Sequence, residues 1–296
     1  MATLIWTGTA SGVFGTAGNW TVKSTGAASE SAPANGDHLI VPAGATVDML
    51  GGAYGETDPD DFVIEDGCGI SIGTATLPLA IGATASAAWE WGGTGTYFFE
   101  VAGAAGLTSI TIQGTGTYHL AGSGAEAIAT GLVINNTSAT VYLAWSPTEQ
   151  AICDTVTSNG TLYLGTTVTT AAAAAIPLIL TGGTATIKCS LASLHNTGAT
   201  VTILGGTTTL LHNFSGTVYW AGATLTTAHV YTGAALDLTK KASAGTVTTV
   251  HLYDTATYND PYSKASVGTV IYLNGTDTTR ATVDIGPDVT FTTDVI

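Results

Sequence analysis

Charged side chains are scarce in this 296-residue chain, and basic ones are the scarcest. Only 9% of the residues are charged, and six Lys and Arg stand against 21 Asp and Glu, which gives a net charge of −15. Proteins that bind the nucleic acid backbone need a basic surface, so this balance argues against a nucleic acid partner. The acidic excess favours solubility and docking onto a positively charged partner.

Long apolar runs are also missing, although hydrophobic residues make up 45% of the chain. The longest candidate, Ala171 to Leu180, contains Pro177 and is far shorter than the roughly 20 residues that cross a bilayer. We therefore expect a soluble protein with no membrane partner. No leader of basic, apolar and small residues follows Met1, so we expect assembly in the cytoplasm rather than secretion.

Cysteine is rare, and its count is odd. Cys68, Cys153 and Cys189 show no spacing typical of metal ligands. The sequence therefore predicts buried free thiols rather than a framework of disulfides. Amphipathic helical patterns of useful length are absent as well, so the 38 glycines and the many short β-branched runs predict an all-β protein.

One short phrase recurs through the middle of the chain: a small residue followed by a β-branched or aromatic run. It begins at Gly73, Gly95, Gly116, Ser138, Gly160 and Gly183, so each copy follows the last after about 22 residues. A fixed period of this length is typical of repeat architectures. We therefore predict a right-handed parallel β-helix, a solenoid in which each coil lays its strand on the strand before.

Alternation along each strand predicts which side chains point inward. The predicted inward positions are Leu77, Leu79, Phe98, Tyr118, Leu120, Val141, Leu143, Leu162, Leu164 and Ile187. The hairpin-type pairs Asn35-Gly36, Asn159-Gly160 and Asn274-Gly275 support an alternative, an antiparallel β-sandwich or prism.

Three regions of the sequence differ in composition and in the length of the repeat. Residues 1–66 predict a Trp-rich cap or docking region, residues 67–190 predict wide coils of about 22 residues, and residues 191–296 predict narrower coils and closing strands. A wider step is expected again between Gly245 and Gly268, and two closing strands are expected at 281–285 and 289–291.

A histidine column is the sharpest candidate site. His195, His212 and His229 recur at an even spacing and His251 follows after a longer step, so stacked coils would place the rings about 5 Å apart. We interpret them as a side-chain ladder, together with a neighbouring asparagine ladder of Asn196 and Asn213. A transition-metal site at the first three histidines is the weaker alternative.

Paired carboxylates, which glycoside hydrolysis requires, are not evident in the sequence. The acids of the predicted coils are scattered singly: Glu90, Glu100, Glu126, Glu149, Asp154, Asp237 and Asp254. The sequence therefore predicts no enzyme activity.

The opening of the chain carries a resemblance. Trp6-Thr-Gly8, Gly18-Asn19-Trp20, Pro33 to Asp37 and Ile40 to Pro42 resemble the start of β-helical virion proteins of tailed bacteriophages. Similar openings occur in bacterial surface and autotransporter passenger proteins. The resemblance implies a structural virion protein, commonly a homotrimer, with no cofactor. The residues expected to form its cap or docking surface are Trp6, Asn19, Trp20, Pro33, Gly36 and Asp37.

Within that family, we expect a trimeric capsid decoration (cement) protein that binds the major capsid protein or another virion protein. One alternative is a tail fibre or spike that binds a host glycan through Trp89, Trp91, Trp145 or Trp220. Another is a secreted β-helical adhesin.

Overall fold

A computed structural model describes residues 2–54, 57–82, 87–101, 107–122, 129–144, 153–165, 176–273 and 282–285. These residues form 26 β-strands and one 3₁₀ turn at Ala17–Asn19. None of their helical structure is long and apolar enough to cross a membrane. The all-β prediction is therefore confirmed.

The chain divides into two compact units, Met1–Thr155 and Val156–Ile296. In the first unit, β1, β3, β5, β7, β9 and β11 form one parallel sheet, and β4, β6, β8, β10 and β12 form another. The antiparallel strand β2 covers the free edge of β1. The strands are β1 (Thr3–Trp6), β2 (Trp20–Val22), β3 (His38–Val41), β4 (Gly52–Tyr54), β5 (Asp61–Ile64), β6 (Leu79–Ile81), β7 (Ala88–Trp91), β8 (Thr96–Val101), β9 (Leu107–Ile112), β10 (Thr117–Gly122), β11 (Ala129–Ile134) and β12 (Thr140–Leu143).

The second unit, which begins within β13, repeats this arrangement. Its odd-numbered strands from β13 to β25 form one parallel sheet and its even-numbered strands from β14 to β26 form the other. The strands are β13 (Cys153–Ser158), β14 (Thr161–Leu164), β15 (Ile176–Leu180), β16 (Thr184–Ile187), β17 (Leu191–Thr197), β18 (Thr200–Ile203), β19 (Thr207–Ser215), β20 (Thr217–Trp220), β21 (Thr224–Val230), β22 (Ala235–Asp237), β23 (Gly245–Tyr253), β24 (Thr257–Asp260), β25 (Ala265–Leu273) and β26 (Thr282–Ile285).

Alternate strands enter alternate sheets, so each coil gives one strand to each sheet and stacks on the previous coil. The parallel β-solenoid prediction is confirmed, and the antiparallel sandwich is wrong. The asparagine-glycine pairs mislead because they turn the chain between elements that do not pair as hairpins. Asn35-Gly36 lies in the loop before β3, and Asn159-Gly160 joins β13 to β14 in the other sheet. Asn274-Gly275 lies outside the described residues.

The recurring phrase marks real strand starts in most coils. Thr96 pairs with Thr117, Thr117 pairs with Thr140, and Thr161 pairs with Thr184 in the same way. Thr96, Thr117, Thr161 and Thr184 each follow the first residue of the phrase, and Thr140 stands one place later in its copy. The repeat therefore reports the length of one coil to within one residue.

The copy of the phrase at Gly73 is the exception, because the chain turns there instead of forming a strand. Thr74 and Leu77 exchange backbone hydrogen bonds of 2.9 and 3.2 Å, and Leu77 is 51% exposed. Gly73 has a φ of +62°, and a Cβ there would lie 2.9 Å from both Leu79 N and Phe98 O. The inward prediction for Leu77 is therefore wrong.

The inward prediction for Phe98 is also wrong, since the side chains before and after it in β8, Tyr97 and Phe99, are the buried ones. Tyr97 pairs with Tyr118, their rings stack at 4.9 Å, and the Tyr97 hydroxyl donates to Cys68 O at 2.9 Å. This hydroxyl lies 1.9 Å from where a Cβ on residue 93 would stand, so Gly93 makes room for it. The other predicted inward residues are buried: Leu79, Tyr118, Leu120, Val141, Leu143, Leu162, Leu164 and Ile187.

Coils of the second unit shorten as predicted. Thr184 pairs with Thr200, and Val201 pairs with Val218, so these coils use several residues fewer than the coil from Thr117 to Thr140. The later coils widen, but Gly245 pairs with Ala265 rather than with Gly268, so the step is shorter than predicted. The predicted closing strand at 281–285 is observed as β26, and 289–291 lies outside the described residues.

The three cysteines are free and buried, as predicted. Burial raises the pKa of the Cys68 thiol, and it raises the pKa of Cys189 to about 12. The reactive thiolate is therefore scarce at neutral pH, and it is also shielded from reagents.

We predict that a thiol reagent labels none of the three cysteines in native buffer at pH 8 and labels all three in guanidinium chloride. The measurement is the time course of absorbance from a chromogenic disulfide reagent. Rapid labelling of a thiol before the unfolding transition would contradict the buried placement.

Candidate functional site

Two of the predicted docking residues, Trp6 and Trp20, lie inside the first unit. They form a cross-strand pair between β1 and β2, with ring centroids 5.2 Å apart, and Phe14 packs edge-on against Trp20 at 5.6 Å. Their indole N–H groups donate to Val47 O and Phe14 O. Because neither ring is accessible, these side chains can support a docking surface but cannot themselves present one.

Asn19 is fully buried, and its side chain organises the loop between β1 and β2. Its Oδ1 accepts hydrogen bonds from Ala10 N at 2.7 Å and Ser11 N at 2.9 Å. Its Nδ2 donates to Ser11 Oγ and to Val13 O. The role of Asn19 is therefore to satisfy backbone groups in a turn-rich segment that forms no strand and pairs with another segment only at the bridge between Val13 and Leu50.

The remaining predicted cap residues shape the loop that enters β3. Asp37 accepts hydrogen bonds from Ala2 N at 2.7 Å and from Ala34 N at 3.0 Å, which ties the loop to the start of the chain. Gly36 turns the backbone at a φ of +79°, and Pro33 is buried. A docking role for all six residues stays a prediction.

The predicted histidine column exists. His195, His212, His229 and His251 pair in register on four neighbouring strands, β17, β19, β21 and β23. The ring centroids are 4.9, 4.8 and 4.3 Å apart in that order; the last two pairs are stacked, and the first is edge-to-face. Ile179 and Ile271 extend the column at its two ends.

An aromatic column runs beside the histidines, two residues after His212, His229 and His251. Phe214, Tyr231 and Tyr253 stack at 4.4 and 4.6 Å. Nδ1 of His212 shares a hydrogen bond of 3.0 Å with the Tyr231 hydroxyl, and Nδ1 of His229 shares one of 3.1 Å with the Tyr253 hydroxyl. The two columns are therefore tied to each other from one coil to the next.

On the other side of the histidines lies a third column of small or aliphatic side chains. It consists of Ser193, Leu210, Thr227, Thr249 and Thr269, which also pair in register. The three columns together, with Ile179 and Ile271, are called the histidine face below.

Beneath this face, the predicted asparagine ladder is confirmed. Asn196 and Asn213 are fully buried, and Asn196 Nδ2 donates to Asn213 Oδ1 at 2.9 Å. Asn196 also donates to Ala199 O and Ser215 O and accepts from Ala199 N. The ladder satisfies the backbone where each strand bends into the next turn.

Burial keeps three histidines of the face neutral to lower pH than usual. Desolvation, followed by the charge of neighbouring histidines, lowers the pKa of His212 and of His229. Desolvation also lowers the pKa of His251. Protonating one ring makes protonation of the next ring harder because the two charges would lie only about 5 Å apart.

The stacked geometry does not favour the metal alternative. The parallel rings of His212 and His229, with centroids 4.8 Å apart, cannot easily direct two nitrogens onto one ion, since zinc-to-nitrogen bonds are only about 2.0–2.1 Å long. Among the described residues, no group of three or more His, Cys, Asp and Glu side chains is placed to hold a metal ion.

Sequence reasoning missed the aromatic column. The available signal was the recurrence of an aromatic residue two positions after His212, His229 and His251, at the period of the histidines themselves. A related column lies in the first unit, where Phe98, His119 and Tyr142 stack at 4.1 and 4.6 Å. Desolvation lowers the pKa of His119.

The tryptophans proposed to bind a glycan are buried. Trp89, Trp91 and Trp220 have no exposed surface, and Trp145 lies outside the described residues. The expectation that these three rings stack on sugars is therefore wrong. The histidine face does not replace them, because its rings cover each other's faces and leave mainly their edges exposed, whereas sugars stack on ring faces.

Lys241 is an unusual buried cation in the second unit. It is only 3% exposed, its Nζ donates to Gly222 O, and that nitrogen lies 4.3 Å from the centre of the Trp220 ring. Desolvation lowers the pKa of Lys241, and the charge of Asp260 partly opposes this. Its neighbour Lys240 is exposed and lies over the ring of Tyr219.

Several of the described carboxylates bind neighbouring side chains or backbone groups. Asp61 forms an ion pair of 2.6 Å with His38 on the outer surface, and Asp237 accepts hydrogen bonds from Thr239 and Asn259. A shallow, open depression of about 510 Å³ is lined by the neutral side chains of Gln113, Asn135, Asn136 and Thr137. Glu126, Glu149 and the side chain of Asp154 lie outside the described residues.

Comparison with known proteins gives no relatives: no family model, no curated protein and no solved structure matches this chain.

We predict that Asn19→Ala lowers the free energy of unfolding by about 1–3 kcal/mol, because it removes the side-chain hydrogen bonds to two backbone N–H groups and one carbonyl of the loop. The measurement is urea unfolding followed by circular dichroism. Asn136→Ala is the control, since it removes hydrogen bonds to Gln113 O and Ser138 N that are exposed to water, and it should change stability less. Equal losses in the two variants would contradict the role assigned to Asn19.

We predict that wild-type protein gains stability relative to Lys241→Met as the pH rises from 8 to 10. The native pKa of Lys241 lies below its ordinary value of 10.5, so the unfolded chain binds more protons in this range and stability rises with pH. The full gain is about 1.4 kcal/mol for each pH unit by which the pKa is lowered.

The measurement for Lys241 is denaturant unfolding at several pH values. Lys240→Met provides the matched control, since it removes the same charge from an exposed neighbour. A stability difference between wild type and Lys241→Met that stays flat with pH would refute the assignment.

Proposed function

We propose that this chain is a structural protein of a tailed-bacteriophage virion: a homotrimeric capsid decoration protein that binds the major capsid protein and is assembled in the host cytoplasm. The resemblance of its opening residues supports this proposal, as does the parallel β-solenoid fold. The proposal assigns no catalytic residue and no cofactor.

The observation that carries the proposal is the uncharged histidine face. The strands β15, β17, β19, β21, β23 and β25 contain no Asp, Glu, Lys or Arg, although the chain as a whole has six basic and 21 acidic residues. Ile179 and Phe214 on this face are 38% and 42% exposed. A flat, uncharged and partly aromatic surface has the composition of the core of a protein–protein interface.

Both units also lack the features of a small-molecule site among the residues that the structure describes. Their interiors are packed with apolar and aromatic side chains, such as Trp91 stacked on Phe99 at 4.5 Å and close to Tyr118 at 5.9 Å. Small-molecule sites are concave and enclosed, whereas what these units offer a partner is the outer surface of their sheets.

We predict that the purified protein has three times the 29.6 kDa mass of one chain in light scattering, and that it co-sediments with expanded, undecorated heads of its phage. Heads that already carry their decoration protein serve as the control and should bind none. Failure to co-sediment with undecorated heads would refute the decoration role, and a different mass would refute the trimer.

A further inference from the structure

We propose that the histidine face is the surface through which copies of this chain associate, and that protonation of its four histidines separates them. This inference rests on the homotrimer of the proposed function and assigns it a contact surface and a pH response.

The distribution of charge favours further copies of this chain as the partner that binds the histidine face. Each chain carries a net charge of −15, so copies repel one another at most orientations. The histidine face is where this repulsion is weakest, because its strands contain no carboxylate. A strongly basic partner would gain nothing from such a surface, whereas three copies can turn the same face toward a shared three-fold axis without bringing like charges together.

The size of the face sets how much surface the trimer can bury. Its six strands and three columns cover roughly 24 Å by 20 Å at ~4.8 Å between strands and ~3.3 Å per residue, so three copies would bury about 1,400 Å² in total. That is about 500 Å² for each pairwise contact, so the trimer depends on all three contacts forming together. Stacked rings add rigidity, since Tyr231 and Tyr253 are held by the histidine Nδ1 atoms and lose little freedom on binding.

The same geometry makes the contact sensitive to pH. The titratable groups that face one another here are His195, His212, His229 and His251, with the hydroxyls of Tyr231 and Tyr253 beside them. No acidic side chain on the odd-numbered strands β15 to β25 compensates a charged imidazole. Full protonation would place four positive charges in one column on each copy.

The direction of the response follows from burial. Desolvation already holds the pKa of His212, His229 and His251 below the ordinary 6.5 in the single chain, and covering the face would desolvate them further. The separated chains therefore bind protons more readily than the assembled ones. Association is at full strength above pH 6.5 and weakens as the pH falls below that value.

The test compares matched aspartate substitutions by light scattering at pH 8. Thr227→Asp adds a carboxylate to the centre of the histidine face and should reduce the protein to the mass of one chain. Thr202→Asp makes the same change at an outward position of β18, in the other sheet of the unit, and should leave the oligomer intact. Circular dichroism confirms folding, and Thr249→Asp in the same column replaces Thr227→Asp if that variant does not fold.

The pH response is tested by sedimentation equilibrium at pH 8 and pH 5. The dissociation constant of the wild type should rise by about tenfold or more at pH 5, as like charges face each other. The double variant His212→Gln/His229→Gln should lose most of this rise, whereas His38→Gln/His119→Gln, in the first unit, should keep it.

The outcomes separate this inference from the proposed function. If the Thr227→Asp and Thr249→Asp variants both keep the oligomeric mass of the wild type, the contact surface is overturned, but the trimer and the decoration role stand. An oligomer equally stable at pH 5 and pH 8 overturns the pH response. A single-chain mass for the wild type at pH 8 overturns both the inference and the trimer, while binding to heads is decided by co-sedimentation alone.

Discussion

Parallel hydrogen bonding between successive coils is the constraint on which the rest of this structure depends. It fixes the separation of equivalent residues at one strand spacing and makes each side chain the neighbour of its counterpart in the coils before and after. Inside the units, this brings Tyr97 against Tyr118 and Asn196 against Asn213. On the surface, it stacks histidines that are distant from one another in sequence. Every column described above is a consequence of that one register.

The same constraint explains where charge can be placed. A charged residue at a repeated strand position would face the same charge in the next coil at about 5 Å, with little intervening water to screen it. The strands of the histidine face contain none. In the other sheet of the second unit, Asp237 stands at the end of β22, and Asp284 within β26 pairs with the uncharged Asn259. Lys241 is a charged residue that is buried. Its ammonium group is stabilised by a backbone carbonyl, by the indole ring of Trp220 and by the charge of Asp260.

Periodicity in the sequence was enough to predict the fold, the histidine column and most inward positions, because these follow from coil length and strand alternation. The free cysteines were predictable from their number and spacing alone. Periodicity failed where local backbone geometry decides the outcome. At Gly73, a positive φ turns the chain where the repeat predicts a strand. In β8, Tyr97 rather than Phe98 points inward, and its hydroxyl binds Cys68 O in another coil. The register of Gly245 depends on the length of an intervening turn, which no strand pattern encodes.

At the candidate site, the histidines were predictable and their hydrogen bonds were not. The partners of His212 and His229 are Tyr231 and Tyr253, which lie one coil further along the chain and in a different column. A period relates each residue to its own counterpart in the next coil. It does not relate residues of two different columns, so a hydrogen bond between columns depends on the side-chain rotamers.

The short coils of the second unit have a consequence for how this chain can change over evolutionary time. Because His195 and His212 lie in coils that are interchangeable in backbone pairing, duplicating or deleting one such segment would add or remove one strand from each sheet and keep the remaining register intact. The histidine stack would grow or shrink by one ring in the same event. The extent of the surface can therefore be altered by recombination within a single gene, without new contacts having to evolve around the change.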